Sequence, residues 1–481
     1  MAYAFWKSGQ ADKEAVFTMS FRHNPFDGGF AVFCGLTHLI DYISNLSFHQ
    51  EDLDYLASLK AHDDSPLFDN GFLDYLSRLK FDMDIHAVED GTIVFAHEPL
   101  IRVSGPIIPC QIVETAILNL VGFPTLIATK AARVKFAAGR TPVYEFGLRR
   151  SQGMDGGITA SLASYLGGCD GTSNTLAGRI FGIPVKGTHA HSWIMAHESE
   201  KEAFQNYAEA MPNNCFFLVD TYDTLNGVKN AIEMGRWLEE RGHKLLGVRL
   251  DSGDLAYLSV ESRKLLDEAG FTDALIMASN DLDENIVSSL IDQGAQINAW
   301  AVGTKLVTAD DQPALGGVYK LSAVRDPGGK WRHVIKLSEQ VVKISNPGTL
   351  QVRRFFNPDK KIDRYIADMI FEENNFDNNG ESVIVDPLDF TRRKKISKDT
   401  PYKDLLVPIF KQGKLLYKYP GYESTRNFVI EQMEGFHAGV KRLMNPHQYP
   451  VGLEKGLHQL KTDLILKERG HLTEEFSTWK S

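Results

Sequence analysis

Cysteine is scarce and scattered. Among 481 residues there are four, Cys34, Cys110, Cys169 and Cys215, with no CxxC spacing, so neither a disulfide framework nor a zinc site has material to form from. The expected compartment is the reducing cytoplasm. Positive charge is the minority sign: 52 Lys and Arg against 62 Asp and Glu leave a net charge of −10. That balance argues against non-specific nucleic-acid binding and leaves room for a local basic pocket. No apolar run approaches the ~20 residues of a membrane span. The opening MAYAFWKSGQADKE lacks the charged start, apolar core and small-residue cleavage site of a secretory signal. Two nucleotide-binding signatures are missing too: no GxGxxG follows an apolar strand-like run, and no GxxxxGK[ST] occurs. What is present is ordinary globular composition, 43% hydrophobic, 10% aromatic and 24% charged, which excludes wholesale disorder, collagen and coiled coil. At ~100–200 residues per domain the length implies two to four structural units.

The first third reads as a mixed α/β domain, residues 1–125. Strand-like runs at 15–22 and 30–35 flank the turn-forming Pro25-Phe26-Asp27-Gly28-Gly29, and 92–104 reads as two further strands. Apolar positions recur at helical spacing from Gln111 to Gly139, interrupted near Gly122-Phe123-Pro124, where a domain boundary is expected. Between 126 and 325 the pattern changes. Short apolar runs, 143–147, 183–188, 215–220, 245–250, 274–279, 299–304 and 318–323, alternate with amphipathic segments such as 224–242, 254–270 and 282–294. Strands alternating with helices of this length mean parallel βα units. Seven of them favour an irregular (β/α) barrel over an open doubly wound sheet, although periodicity alone leaves that choice open. Residues 326–481 form a C-terminal extension: strands at 331–356, a hairpin in 403–417 turning at Gln412-Gly413, and helices near 424–444 and 453–468. Strands from 330–420 are expected to complete the N-terminal domain. The polar stretch 371–400 reads as an exposed loop whose charges are a solvated surface.

Ligands of a parallel barrel bind at the C-terminal strand ends, and these ends are chemically rich. They read Gly147-Leu148-Arg149-Arg150, Gly187-Thr188-His189-Ala190-His191-Ser192, Asp220-Thr221-Tyr222-Asp223, Arg249-Leu250-Asp251-Ser252-Gly253-Asp254, Ser279-Asn280-Asp281 and Gly303-Thr304-Lys305. Together they suit a multiply phosphorylated sugar. Arg149, Arg150 and Arg249 can grip phosphate or carboxylate bidentately. The Gly303-Thr304 turn can offer N–H groups and a hydroxyl to a terminal phosphate. Asp251, Asp254 and Asp281 can hold ribose hydroxyls or a Mg²⁺ shared with a pyrophosphate. Plainer roles compete. A lone strand-end arginine is usually in an ion pair, and Asp220, Asp223, Asp254, Asn280 and Asp281 could each cap the helix that follows. His197 reads as structural. His189 and His191 share a face only if their segment is extended.

The segments EFGLRRSQGMDGGITASLASYLGGCDGTSN (145–174), GIPVKGTHAHSW (182–193), FLVDTYDTLNG (217–227), GVRLDSGDL (247–255), IMASNDLDE (276–284) and AVGTKL (301–306) resemble the nicotinate phosphoribosyltransferases. The likeness extends through GGFAVFCGL (28–36) and KLSEQVVKISNPGTLQVRR (336–354), and so over nearly the whole chain. The resemblance implies an N-terminal α/β domain packed on an irregular barrel, usually in a homodimer with shared active sites. It implies an enzyme that joins nicotinate to phosphoribosyl pyrophosphate with coupled ATP hydrolysis, using ATP and Mg²⁺. Carried onto this chain, His191 matches the histidine transiently phosphorylated by ATP. Arg149 and Arg249 match arginines near the nicotinate carboxylate and the phosphoribosyl group, and Gly187 and Ser192 match residues lining the pyridine pocket. The substrate-binding set expected on these grounds also includes Leu148, Asp251, Ser279, Asn280, Gly303 and Thr304, with Asp251 and Asp281 on the metal. No nucleic acid or membrane partner is expected. The family carries an LTDLYQ-like segment, whose tyrosine stacks on the pyridine ring, just ahead of the text at which this sequence opens; without it, weak nicotinate binding is expected. The rival readings are a nicotinamide enzyme with the same chemistry, a metal-dependent barrel hydrolase built on His189-x-His191, and a catalytically dead relative. The hydrolase lacks a histidine at the later strand ends.

Overall fold

Buried parallel strands need apolar side chains on both faces and a polar residue where they emerge. The runs between residues 143 and 302 have this form. In a computed structural model that describes residues 1–376 and 380–470, five of them, joined by the unexpected Gly171–Thr172, make a six-stranded, wholly parallel sheet. Its order is Gly171–Thr172, Val143–Glu145, Ala299–Val302, Leu275–Ala278, Gly247–Leu250, Phe216–Leu218. The ladder ends at 171–172 on one side and 216–218 on the other, so the structure establishes a parallel sheet, whereas the expectation was a barrel. The helices Thr224–Glu239, Leu255–Glu268 and Glu284–Asp292 follow three of the strands. Asp223, Asp254 and Asp283 cap them by accepting N–H bonds from Asn226, Tyr257 and Ile286. Asn280 and Asp281, read as caps from the sequence, leave that role to Asp283.

The chain divides into two compact units, 126–313 and 1–125 with 314–481. The run 318–323, expected as a seventh barrel strand, is corrected here. As Gly317–Arg325 it pairs antiparallel with Glu14–Phe21 in a seven-stranded sheet of the second unit. That sheet also takes in 101–106, 84–87 and the hairpin 407–411/414–415, which turns at Gln412 and Gly413, both at positive φ. A further six-stranded sheet in this unit contains Leu350–Phe356, Tyr365–Glu372, Ser382–Val385, Arg393–Ile396, Tyr402–Asp404 and Val451–Glu454. Parts of 371–400, expected as a solvated loop, are therefore strand, namely 371–372, 382–385 and 393–396, while 377–379 lie outside the described residues. Strand 183–188 is likewise corrected: among the described residues it contributes only a bridge from Val185 to Thr172.

The interruption at Gly122-Phe123-Pro124 does not break the helix, which runs from Glu114 to Ala138 with Pro124 inside it. Ile107–Ala138 is the one described helical stretch long and apolar enough to cross a membrane. The absence of such a stretch had been expected from the sequence. Lys130 and Arg133 on it are buried against Glu284, at 3.0 and 2.7 Å, which is the arrangement of a core helix.

Candidate functional site

Strand ends of the parallel sheet converge on a cavity of about 150 Å³. Arg149, Arg150, Arg249 and Asp251 line it, as do Ser279, Asn280, Asp281, Gly303 and Thr304. Phe146 and Ala301 complete the wall. Phe146 shares a strand face with Tyr144, which packs beside Met277, Ala299 and Ala301. The alternation in VYEF was the available signal for Phe146, and the reading of polar strand ends passed over it.

Arg249 is fixed by three protein contacts. Its Nε donates to Ser279 Oγ at 2.8 Å, Nη1 to Thr188 Oγ1 at 3.0 Å and Nη2 to Asp251 Oδ1 at 2.9 Å. One N–H remains on each terminal nitrogen for a ligand. Ser279 also donates to Asp251 Oδ1. Burial is the largest single influence on the Asp251 carboxyl and pushes it up, but the bonds from Ser279 and Arg249, with His191 nearby, hold it below the ordinary value. Asp220, the residue ending the 215–220 run, is not a helix cap. Its Oδ2 accepts from the Asp251 N–H at 2.9 Å and from Ser252 Oγ at 2.5 Å, which locks the Asp251 turn.

Arg149 and Arg150 are different. Both are exposed on the short turn Leu148–Arg150, and neither guanidinium has an ion pair or hydrogen bond among the described residues. Two adjacent unpaired cations facing a third make the cavity an anion site. Asn280 and Asp281 stand across it with φ of 92° and 41°, a left-handed pair that Asn and Asp tolerate better than other side chains.

His191 opens the helix His191–Met195, with Nδ1 3.1 Å from Thr221 Oγ1 and Nε2 3.5 Å from Asp251 Oδ2. His189 faces elsewhere. It is buried among Phe204, Tyr207 and Phe217, and its Nε2 accepts the Leu218 N–H at 3.2 Å. Burial pushes it down to about 4, so it stays neutral. The turn has splayed the histidine pair. His197 bonds through Nδ1 to the Trp193 carbonyl at 2.7 Å, within its own turn. Gly187 and Ser192 flank Thr188 and His191 and are not part of the cavity wall, and Leu148 packs against Gly157. Tyr3 stacks on Trp6 and packs edge-on or tilted against Phe68 and Phe72 in the other unit.

A larger cavity, about 910 Å³, lies within the unit 1–125 with 314–481. Arg22, His23, His97, Arg392, Arg393 and Lys394 line it, so part of the charged run expected to be merely solvated is in fact concave surface. Volume alone would favour this cavity. The chemistry favours the smaller one, where an arginine is held by neutral and acidic partners beside two that have none.

Models of the nicotinate phosphoribosyltransferase N-terminal domain, family and C-terminal domain match residues 1–122, 142–352 and 349–461. The nicotinate phosphoribosyltransferase of Bacillus subtilis (strain 168) is 41% identical, over 99% of this chain and 95% of that protein. That of Mus musculus is 33% identical, over 96% and 94%. The crystal structure of human nicotinic acid phosphoribosyltransferase superposes with a TM-score of 0.83 at 30% identity, covering 96% of this chain and 98% of that one.

Proposed function

The chain belongs to the nicotinate phosphoribosyltransferase family, and we propose that it joins nicotinate to phosphoribosyl pyrophosphate, giving nicotinate mononucleotide and pyrophosphate in NAD salvage. The observation that carries this reading is the unpaired Arg149–Arg150 turn facing the anchored Arg249 across one cavity. The pyridine nitrogen lone pair attacks the anomeric carbon, and the bonding pair to the pyrophosphate oxygen departs with that group. No general base is needed. Positive charge grows on the ribose ring and negative charge on the leaving group, so the protein acts by positioning and electrostatics. Arg149 takes the nicotinate carboxylate, Arg249 and the Gly303–Thr304 turn take the sugar phosphates, and Asn280 and Asp281 take ribose hydroxyls. A neutral amide substrate would leave an arginine of the 149–150 turn without its anion, which disfavours the nicotinamide reading.

Mg²⁺ would be held by Asp251 and Asp281 and would neutralise charge on the pyrophosphate. Two carboxylates lining the same cavity fit a hard cation that keeps water and substrate oxygens for its other positions. ATP coupling belongs to His191, whose side chain is 39% exposed beside Asp251. An imidazole nitrogen takes the γ-phosphoryl group as ADP leaves, and water later releases phosphate. While it is phosphorylated the rim gains up to about two negative charges, by analogy with phosphoserine. The parallel sheet is read as the wall of an irregular barrel, in a homodimer with shared active sites. The few, scattered cysteines with no CxxC spacing suit a cytoplasmic enzyme.

Purified protein with phosphoribosyl pyrophosphate, Mg²⁺ and nicotinate is expected to form mononucleotide faster with ATP than without it, and to do far less with nicotinamide. γ-Labelled ATP is expected to leave an acid-labile, base-stable label that His191→Ala removes together with the ATP stimulation, while His189→Ala keeps it. No mononucleotide from nicotinate would overturn the reaction, and a label surviving in His191→Ala would overturn the coupling residue.

A further inference from the structure

Glu145 ends the strand Val143–Glu145, one residue before Phe146, and its side chain is fully buried. Strand alternation sends Phe146 to the anion cavity and Glu145 to the opposite face. There the carboxylate accepts from three donors, none of them charged: the Gly147 N–H, the Ser161 hydroxyl at 2.9 Å and the Thr172 hydroxyl at 2.5 Å. Thr172 Oγ1 accepts from the Asn174 N–H at 2.9 Å and so gives its proton to the carboxylate, whereas Ser161 Oγ, which accepts from Asn174 Nδ2 at 3.1 Å, has one proton for two acceptors at 2.9 Å, Glu145 and the Gly157 carbonyl. A buried carboxylate with no cation beside it is costly, and apolar packing would avoid that cost.

The group it holds explains its presence. The Gly147 carbonyl accepts the Arg150 N–H at 2.7 Å, closing the turn that carries Arg149 and Arg150. A Cβ on Gly147 would lie 2.4 Å from Val307 and 2.8 Å from the Gly303 carbonyl oxygen, so this residue also rests directly on the Gly303–Thr304 turn. Phe146 N–H bonds to the Val302 carbonyl at 2.8 Å just before the two turns diverge. We propose that Glu145 is a positioning residue for phosphoribosyl transfer: by fixing Gly147 it sets the spacing between the Arg149–Arg150 turn and the Gly303–Thr304 turn, and so the width of the anion cavity. The proposal rests on the reading of that cavity as the substrate site.

Two substitutions separate positioning from mere stability. Glu145→Gln keeps an oxygen for Gly147 and an amide that can donate to a rotated hydroxyl; Glu145→Ala keeps neither. In folded Glu145→Ala, verified by circular dichroism and thermal melting, KM for phosphoribosyl pyrophosphate and nicotinate is expected to rise and kcat/KM to fall by roughly tenfold or more, the scale on which misplaced binding groups act. Glu145→Gln is expected to recover most of that loss. Melting temperatures lowered in both variants, with the kinetic constants of the folded enzyme unchanged, would overturn the proposal. If Glu145→Ala does not fold, Thr172→Val, which frees one side of the carboxylate, is expected to raise KM by a smaller factor, and an unchanged KM there would overturn it equally. Arg149→Ala run in parallel distinguishes the two levels. Impaired Arg149→Ala beside wild-type Glu145→Ala rejects only the positioning role, whereas wild-type kinetics in both reject the cavity assignment.

Discussion

The side chains of Arg354 and Asp368, in the unit 1–125 with 314–481, are 3% and 0% exposed, whereas those of Arg249 and Asp251, in the unit 126–313, are 16% and 25% exposed. The residue types are the same and their surroundings are not. Asp368 takes two Arg354 nitrogens and the Tyr449 hydroxyl, while the Ile93 carbonyl takes a further Arg354 N–H. Phe95, Tyr365 and Phe436 enclose the guanidinium. Burial, with the Asp368 charge adding to it, pushes the Glu98 carboxyl beside the pair well above its usual range. This pair is sealed from solvent. Arg249 spends as many N–H groups on the protein but lines an open cavity, and its neighbours Arg149 and Arg150 have no ion pair among the described residues. An arginine sealed inside the fold with its carboxylate stabilises the fold; one oriented by the fold with donors turned to an open cavity awaits a ligand.

The comparison can be broken from its buried side first. Asp368→Ala strands a buried guanidinium and is expected to destabilise the protein by about 3–5 kcal/mol. Turnover per folded molecule should stay at the wild-type level, and urea unfolding with an activity assay below the transition measures both. On the open side the signs reverse. Arg149→Ala should leave the unfolding midpoint in place and lose ~1.5–3 kcal/mol of interaction with the nicotinate carboxylate, tenfold or more in kcat/KM. The loss should be larger for nicotinate than for nicotinamide. A third aspartate sharpens the contrast by having only neutral donors. Asp90 is buried at the start of the helix Leu36–Asn45 and accepts from Leu36 N–H at 2.9 Å and Thr37 N–H at 3.3 Å. Burial pushes it up to about 6. Because this lies above the unfolded value of about 3.9, its stabilising contribution is complete below about pH 4 and is lost as pH rises through 6. Asp251, held below its usual range, has the opposite sign: its contribution is present above the unfolded value and lost as pH falls through the lowered one. Asp90→Asn should flatten the change in stability between pH 4 and 6, an effect of roughly 1–3 kcal/mol, with no effect on turnover.

The open site was far more legible in the sequence than the sealed one. Parallel strands announce themselves as apolar runs, and their polar ends are contiguous in the text, so Arg149, Arg249, Asp251, Ser279 and Gly303 could be assembled before any coordinates. Pairing of distant strands leaves no such trace. The run 318–323 has the same apolar character as its predecessors, and nothing local says that it joins Glu14–Phe21 rather than the next βα unit. Arg354 and Asp368 sit in strands whose inward positions should be apolar, so the sequence pattern hides them. Backbone direction was equally silent about the histidines: only the turn before His191 decides that His189 is a buried neutral prop and His191 a rim residue. Glu145 was passed over because a single acid inside VYEFG carries no sign of the three donors gathered around it.

Arg249→Lys tests the distinction between the two pairs most directly. Lysine keeps the charge but cannot reach Ser279, Thr188 and Asp251 together and still present a fork to a phosphate. Mononucleotide formation from nicotinate and phosphoribosyl pyrophosphate, measured beside thermal melting, is expected to fall at least about tenfold with the melting temperature unchanged. Turnover within about twofold of wild type, or a collapse in melting temperature that accounts for the loss, would mean that Arg249 is a structural ion pair like Arg354 and that this cavity is not where the reaction occurs.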